Sequence, residues 1–339
     1  MSKRAILVLG MHRSGTSLLT KILTIMGATP PAGLLLPSVD NPIGYWEALS
    51  VNALNEKLLC STGNTWKTYR AIPDKWFNGP EREDDLETAL RIIEEEFGGA
   101  DTIVLKCPRI CRLIPFWVSA MKMAEYEVAT IKIIRDPEEV FLSLAARSIL
   151  PQTREISITN PEHAAMLWLR YVLDAELHSR NLPGLVINYS DLVNNRSDTL
   201  NLIINKHEFG LNQLNTKQKA DIDNLFTPEK RRQRNPLENT IQTGDKVFDQ
   251  FKPLVSFLMG KLDAKSISTL NELTNHLDQI YTSCTLDNTA MNSIEPDNSF
   301  HFEVYQKFCK SLVVLKRDRI PVKYINQILE YTHRVFAKS

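Results

Sequence analysis

Gly10-Met11-His12-Arg13-Ser14-Gly15-Thr16-Ser17 lies between two segments of different periodicity. Before it, Ala5-Ile6-Leu7-Val8-Leu9 is an unbroken apolar run of strand length. After it, Leu18-Leu19-Thr20-Lys21-Ile22-Leu23 spaces its apolar residues as a helix does. A buried strand, a glycine-bounded loop and a helix in that order present backbone N–H groups and a helix N-terminus to an anion. The stretch therefore predicts an α/β fold with a phosphorylated ligand at the loop.

The loop has the two glycines of G-x-x-x-x-G-K-[ST], but Thr16 stands where that motif has its lysine. A kinase or NTPase needs that lysine because the transferred phosphoryl group brings strong negative charge and a magnesium ion with it. The cation here is Arg13, inside the loop, which suits a different leaving group.

Met11-His12-Arg13-Ser14-Gly15-Thr16-Ser17 resembles the 5′-phosphosulfate loop of sulfotransferases, whose pattern is [PH]-[KR]-S-G-T-[TS]. The second signature of that family is an arginine after a strand and a serine in the next helix. Ile133-Ile134-Arg135-Asp136-Pro137, with Ser143 eight residues after Arg135, is similar to it. The resemblance implies a P-loop-type parallel sheet flanked by helices. It also implies 3′-phosphoadenosine 5′-phosphosulfate (PAPS) as co-substrate with no metal. Arg13, Ser14, Gly15, Thr16 and Ser17 would then hold the 5′-phosphate, and Arg135 and Ser143 the 3′-phosphate.

Composition agrees with a globular enzyme of ordinary kind. The 339 residues allow one large α/β domain and an addition, and 43% hydrophobic against 24% charged residues argues against disorder. Lys+Arg 40 balances Asp+Glu 40, so no net charge draws the chain to nucleic acid or an anionic membrane, and any anion site is local. Five cysteines without a CxxC pair read as reduced thiols, which points to the cytoplasm. The apolar start imitates a signal peptide, but His12 and Arg13 end it with no small-residue cleavage site. No segment approaches the ~20 apolar residues of a membrane span.

Beyond the loop, Ala28 to Tyr45 is rich in Pro and Gly and reads as a long loop that contacts substrate. It leads to Glu47 and a helix from about Ser50 to Leu59. Glu47 reads two ways: as an acid at a helix N-terminus, favoured by the dipole, or as the general base that removes an acceptor hydroxyl proton. Several branches of the resembled family carry a base glutamate shortly after the first helix. Leu86, Leu90, Ile93 and Phe97 are expected on one face of a helix over Asp84 to Phe97. Strand Thr102 to Lys106 then runs into Cys107-Pro108-Arg109, making Lys106 and Arg109 candidates for the site. Lys106 would stabilise the sulfonate or the bridging oxygen, whereas Cys107 and Cys111 read as structural. The cytosolic branch of the family has K-T-H here, and this chain lacks the histidine, which moves the base to Glu47 or leaves it unassigned.

Further strands are expected at Val128 to Ile134 and Leu185 to Asn188, with helices Glu138 to Ser148 and Glu162 to His178 between them. Asp136 is placed to cap the first of these helices. Tyr189-Ser190-Asp191-Leu192 resembles the family's Y-E-D-L, whose tyrosine lies near the adenine. Lys230-Arg231-Arg232-Gln233-Arg234 is the densest basic run; it reads as a solvated face or recognition patch, or, by the same resemblance, one or two of its arginines, with Arg231 and Arg232 as candidates, would reach the 3′-phosphate.

Residues 1–245 thus read as the PAPS-binding domain and 246–339 as a helical C-terminal extension, with helices at Asp263 to Thr282, Phe300 to Leu315 and Pro321 to Phe336 and a polar connector from Cys284 to Ser299. The extension packs on the core, contributes to a homodimer or positions the acceptor, and the sequence leaves these open. Arg13, Glu47 and Lys106 form the expected catalytic set. The acceptor implied is a small-molecule or glycan hydroxyl, a sugar by resemblance to bacterial carbohydrate-type members. A P-loop kinase or NTPase and a catalytically silent nucleotide-binding scaffold are the alternatives.

Overall fold

A computed structural model describes residues 2–149, 151–227, 246–249, 251–260, 262–287 and 298–315. The basic run with Arg231 and Arg232, and the helix expected over 321–336, lie outside the described residues.

Among the described residues the strands are β1 (Lys3–Leu9), β2 (Thr102–Lys106), β3 (Tyr126–Ile134) and β4 (Gly184–Asn188). They form one all-parallel sheet in the order β2-β1-β3-β4. The helices that bear on the site are α1 (Thr16–Ile25), α2 (Leu49–Ser61), α3 (Arg82–Phe97) and α4 (Ile110–Met123). They are followed by α5 (Pro137–Ala145), α6 (Pro161–Ser179) and α7 (Tyr189–Asn194).

The chain divides into two compact units. The first comprises residues 1–62, 72–135 and 174–238, and the second 63–71, 136–173 and 239–339. The second unit therefore takes in segments from both sides of position 245.

The first unit holds the sheet. Ala5 to Leu9 are all fully buried, as a central parallel strand covered on both faces requires. Ile6 and Val8 join Leu19, Ile22 and Leu23 of α1 and Ala129 and Ile131 of β3 in one apolar cluster. α1 closes at Met26, with Gly27 (φ 113°) supplying the left-handed turn. The inward face of α3 is made by Ala89, Ile92, Ile93 and Phe97 together with Arg82 and Asp85. Leu86 and Leu90, expected on that face, are only partly buried, because an ion pair between Arg82 and Asp85 (3.2 Å) begins it. Helix α4 has no counterpart among the expected elements. Pro115 interrupts its pattern, and the backbone departs from helical values at Leu113 (φ −127°, ψ 19°).

In the second unit Asp136 caps α5, accepting from the N–H groups of Glu138 (2.9 Å) and Glu139 (3.3 Å), with Pro137 at the first helical position. Phe141 stacks on Phe248 with ring centres 5.3 Å apart. The imidazoles of His163 and His301 stack at 3.8 Å, and His301 Nδ1 is 2.9 Å from the buried Tyr69 hydroxyl. Two C-terminal helices, α8 (Ala264–Asp287) and α9 (Asn298–Leu315), pack together in this unit. The first runs past Cys284, so the expected connector is shorter by several residues at that end. No helix among the described residues is long and apolar enough to cross a membrane.

Candidate functional site

Register brings the carboxyl ends of the strands to one edge of the sheet. Val8 lies opposite Lys106, Leu9 opposite Lys132, and Ile134 opposite Asn188. The turns leaving that edge carry Gly10 to Ser17, Cys107 to Arg109, Arg135 and Tyr189. β1 has β2 on one side and β3 on the other: the chain moves from β1 outward to β2, then crosses back to β3 and on to β4, so the connections leaving β1 and β3 run in opposite directions across the sheet. Open α/β sheets bind ligands in the crevice at such a switch point.

The loop itself is built by close packing. A Cβ on Gly10 would lie 2.7 Å from the Ile133 carbonyl oxygen, and the Gly10 N–H donates to Cys111 Sγ at 3.1 Å. Ser14 is buried, and its N–H closes a turn onto the Met11 carbonyl at 3.1 Å. Arg13 (φ 69°) and Gly15 (φ 90°) both take left-handed backbone. Thr16 and Ser17 then open α1, where helix geometry leaves the first N–H groups without intrahelical acceptors at the positive end of the dipole.

Arg135 braces the loop from β3. Its Nη1 donates to the Arg13 carbonyl at 2.9 Å, and its guanidinium lies 4.5 Å from the centre of the Tyr189 ring. The same ring fills the space beside Gly15, where a Cβ would stand 2.3 Å from Tyr189 Cδ2. Tyr189, expected near an adenine by resemblance, is thus a packing partner of Gly15 and Arg135.

A second cluster centres on Lys106, which is almost wholly buried. Its Nζ donates to Glu47 Oε1 (2.6 Å), to the Tyr45 carbonyl (2.7 Å) and to Ser17 Oγ (3.1 Å). Ser17 Oγ in turn donates to the Tyr45 carbonyl at 3.0 Å. Residues 17, 45, 47 and 106 meet around one ammonium group. Glu47 sits just before Ala48, the residue that caps α2, and its carboxylate is directed to Lys106 with no capping bond to that helix. Its Oε2 is 4.0 Å from Arg109 Nη1 and accepts no hydrogen bond among the described residues. Arg109 is anchored on α2, with Nε 2.6 Å from Glu56 Oε1 and Nη1 3.1 Å from Asn52 Oδ1.

Arg13 reaches across to the long loop. Its Nη2 donates to the Asp40 carbonyl at 3.1 Å, and its Nη1 lies 3.4 Å from Asp40 Oδ2. Asp40, Ser38 and Tyr45 were not among the expected site residues. One signal for Asp40 was present: it is the first acidic residue of the chain, after four cations and beside a cationic loop.

Cys107 and Cys111 are buried free thiols. Burial raises the Cys107 thiol to about 11 and the Cys111 thiol to about 12. Cys107 donates to Asn52 Oδ1 at 3.0 Å. Ser143 is buried on α5 and belongs to the second unit. Among the described residues no group of three or more His, Cys, Asp or Glu side chains is arranged to hold a metal ion. Compared with protein-family models and with curated proteins, the chain matches none of them.

Proposed function

We propose that this chain is a cytoplasmic sulfotransferase that moves a sulfuryl group from PAPS to a hydroxyl acceptor, a sugar by resemblance, in a metal-independent in-line transfer. The observation that carries the reading is the Lys106 ammonium, which joins Ser17 of the loop to the Glu47 carboxylate. A strand-loop-helix alone would fit many anion sites. An acid and a cation linked to the loop hydroxyl supply the other parts that transfer to an alcohol needs.

The residues present fit a nucleotide of this class. The first N–H groups of α1, with Arg13 and Arg135 beside them, suit a doubly phosphorylated ligand, because an arginine fork matches phosphate oxygens. When bound, the nucleotide would supply the activated sulfuryl group. Arg13 and the loop N–H groups stabilise negative charge developing on the bridging oxygen, and Arg13 acts electrostatically because it does not release its proton. Within the first unit Arg135 takes the 3′-phosphate; the parts the resemblance gives Ser143, Arg231 and Arg232 rest on that resemblance alone. Glu47 Oε2 receives the acceptor's hydroxyl proton, while Lys106 keeps its hydrogen bond to Oε1 of the same carboxylate.

One observation favours a second reading. Lys106 brings an ammonium to Ser17, so a cation that a kinase loop would carry itself is provided by β2. Against this, the Ser17 hydroxyl is engaged by Lys106 and the Tyr45 carbonyl, whereas a kinase uses the hydroxyl at that position on magnesium.

Thermal unfolding separates the two. A ligand that binds only the folded state stabilises it by about 2.7 kcal/mol at a hundredfold excess over Kd. The midpoint should rise with 3′-phosphoadenosine 5′-phosphate and stay raised in EDTA. A rise with ATP and magnesium alone would replace this reading with the kinase.

A further inference from the structure

The segment 38–45 supplies acceptors to three groups around the loop that bear on the proposed chemistry, Arg13, Ser17 and Lys106. Arg13 donates to the Asp40 carbonyl and pairs with its carboxylate. Ser17 and Lys106 both donate to the Tyr45 carbonyl. The two ends of this segment are themselves tied together. Tyr45 donates its hydroxyl to Asp40 Oδ1 at 2.6 Å, Ser38 donates to the same oxygen, and Ser38 Oγ is 2.6 Å from the Tyr45 hydroxyl.

We propose that Asp40 is a positioning residue that fixes the direction of the Arg13 guanidinium, and that Tyr45 couples this anchor to Lys106. The Asp40 side chain is only 4% exposed, and two hydroxyls hold one of its oxygens, so it is a fixed point and not a swinging surface acid. The pairing orients Arg13 more than it neutralises it. The shorter contact, 3.1 Å, is to a main-chain carbonyl, and the carboxylate contact is 3.4 Å. Arg13 is also held from the other side, since Arg135 bonds its carbonyl while its backbone sits at φ 69°. A side chain restrained at its backbone and at its tip has few rotamers left, which is what a preorganised charge stabiliser requires. The benefit to transfer rests on the sulfotransferase reading, whereas the anchoring of Arg13 does not.

Arginine side-chain NMR on the full chain tests the anchoring, with Arg13→Lys identifying the signal. In the wild type the Arg13 Nη protons should be resolved, because rotation about Nε–Cζ is slow. In Asp40→Ala that rotation should quicken roughly tenfold or more, the factor that loss of one charge-assisted hydrogen bond implies. Tyr45→Phe, which removes no charge, should quicken it in the same direction, and Glu56→Gln, which touches Arg109 instead, should leave it unchanged. Should Asp40→Ala fail to fold, Asp40→Asn and Tyr45→Phe carry the comparison. Averaged Arg13 signals in the wild type, or signals unmoved by these variants, would overturn the proposal. Affinity for 3′-phosphoadenosine 5′-phosphate gives a readout that mere loss of structure would not produce. Because the pairing orients Arg13 more than it neutralises it, a folded Asp40→Asn should keep its affinity within about twofold of the wild type's; binding severalfold tighter would show that Asp40 mainly neutralises Arg13 and would count against the proposal. Absence of binding by the wild type would bring down the sulfotransferase reading, while the NMR signature would still decide the role of Asp40.

Discussion

Arg13 and Glu47 occupy opposite ends of one hydrogen-bonded chain that runs through Asp40, Tyr45 and Lys106. Arg13→Ala should lower turnover by about 10²–10³, the usual effect of removing one charge stabiliser, while changing nucleotide affinity far less. Single-turnover transfer from PAPS to a panel of p-nitrophenyl glycosides checks this, and near-normal turnover would remove Arg13 from the mechanism. Glu47→Gln should suppress transfer about 10²–10⁴-fold with bisphosphate affinity kept. It should also lower the unfolding midpoint, because the buried Lys106 loses its counter-ion. Full activity in that variant would move the base elsewhere. The places of Arg13, Lys106 and Glu47 next to strand and helix ends were legible in the sequence, because element boundaries are set by local pattern. For Asp40 the one signal was its place as the first acidic residue after four cations; its pairing was not legible, because the partner lies twenty-seven positions away.

At the scale of elements, the loop glycines are not equivalent. Gly27 at the end of α1 has φ 113° and open space where a methyl would stand, with nothing within 4 Å, so Gly27→Ala should cost only the backbone penalty of about 1–2 kcal/mol. Gly15→Ala carries a similar backbone penalty and also drives a Cβ into Tyr189, which must move and release Arg135. Its urea midpoint should fall further than that of Gly27→Ala, and bisphosphate binding should weaken with it. Equal midpoints would mean that Tyr189 does not brace the loop. The same scale shows where periodicity misleads. α4 was hidden by Pro115, which reads as a helix breaker and interrupts an otherwise regular pattern whose less buried side carries Val118, Ser119, Lys122 and Met123. On α3 the apolar count was right, but the inward face was rotated by the buried Arg82–Asp85 pair.

For the molecule as a whole, each compact unit is assembled from segments distant in sequence. Within the first, Arg112 of α4 donates to Asp174 at 2.6 Å, both buried, which ties the segment from 174 onward to the earlier part of the unit. Its two buried thiols set an alkaline limit. Ordinary thiols ionise near 9.0, whereas burial raises Cys107 to about 11 and Cys111 to about 12. Above pH 9 the unfolded chain has lost these protons and the folded chain keeps them, so stability falls as pH rises, until the folded thiols ionise as well. The slope is about 1.4 kcal/mol per pH unit for each thiol. Urea midpoints should decline from pH 9 towards 11, and replacing Cys111 by Ala should shallow that decline. Iodoacetamide at pH 8 should label the exposed Cys60 while sparing Cys107 and Cys111. Equal labelling of all three would show that the edge of the sheet opens readily.

What the sequence by itself determined was set by near neighbours: the strand, glycine loop and helix from Ala5 to Leu23, the cap at Asp136, and the α/β class. Hydrophobic period and turn chemistry act over a few residues and are written in the order of the chain. Only the tertiary structure decided that β1 lies between β2 and β3, that Lys106 meets Ser17 and Glu47, and that Asp40 meets Arg13. Those contacts exist because strand register brings distant turns to one sheet edge. Buried charges there must find partners, and which partner is within reach depends on the folded backbone.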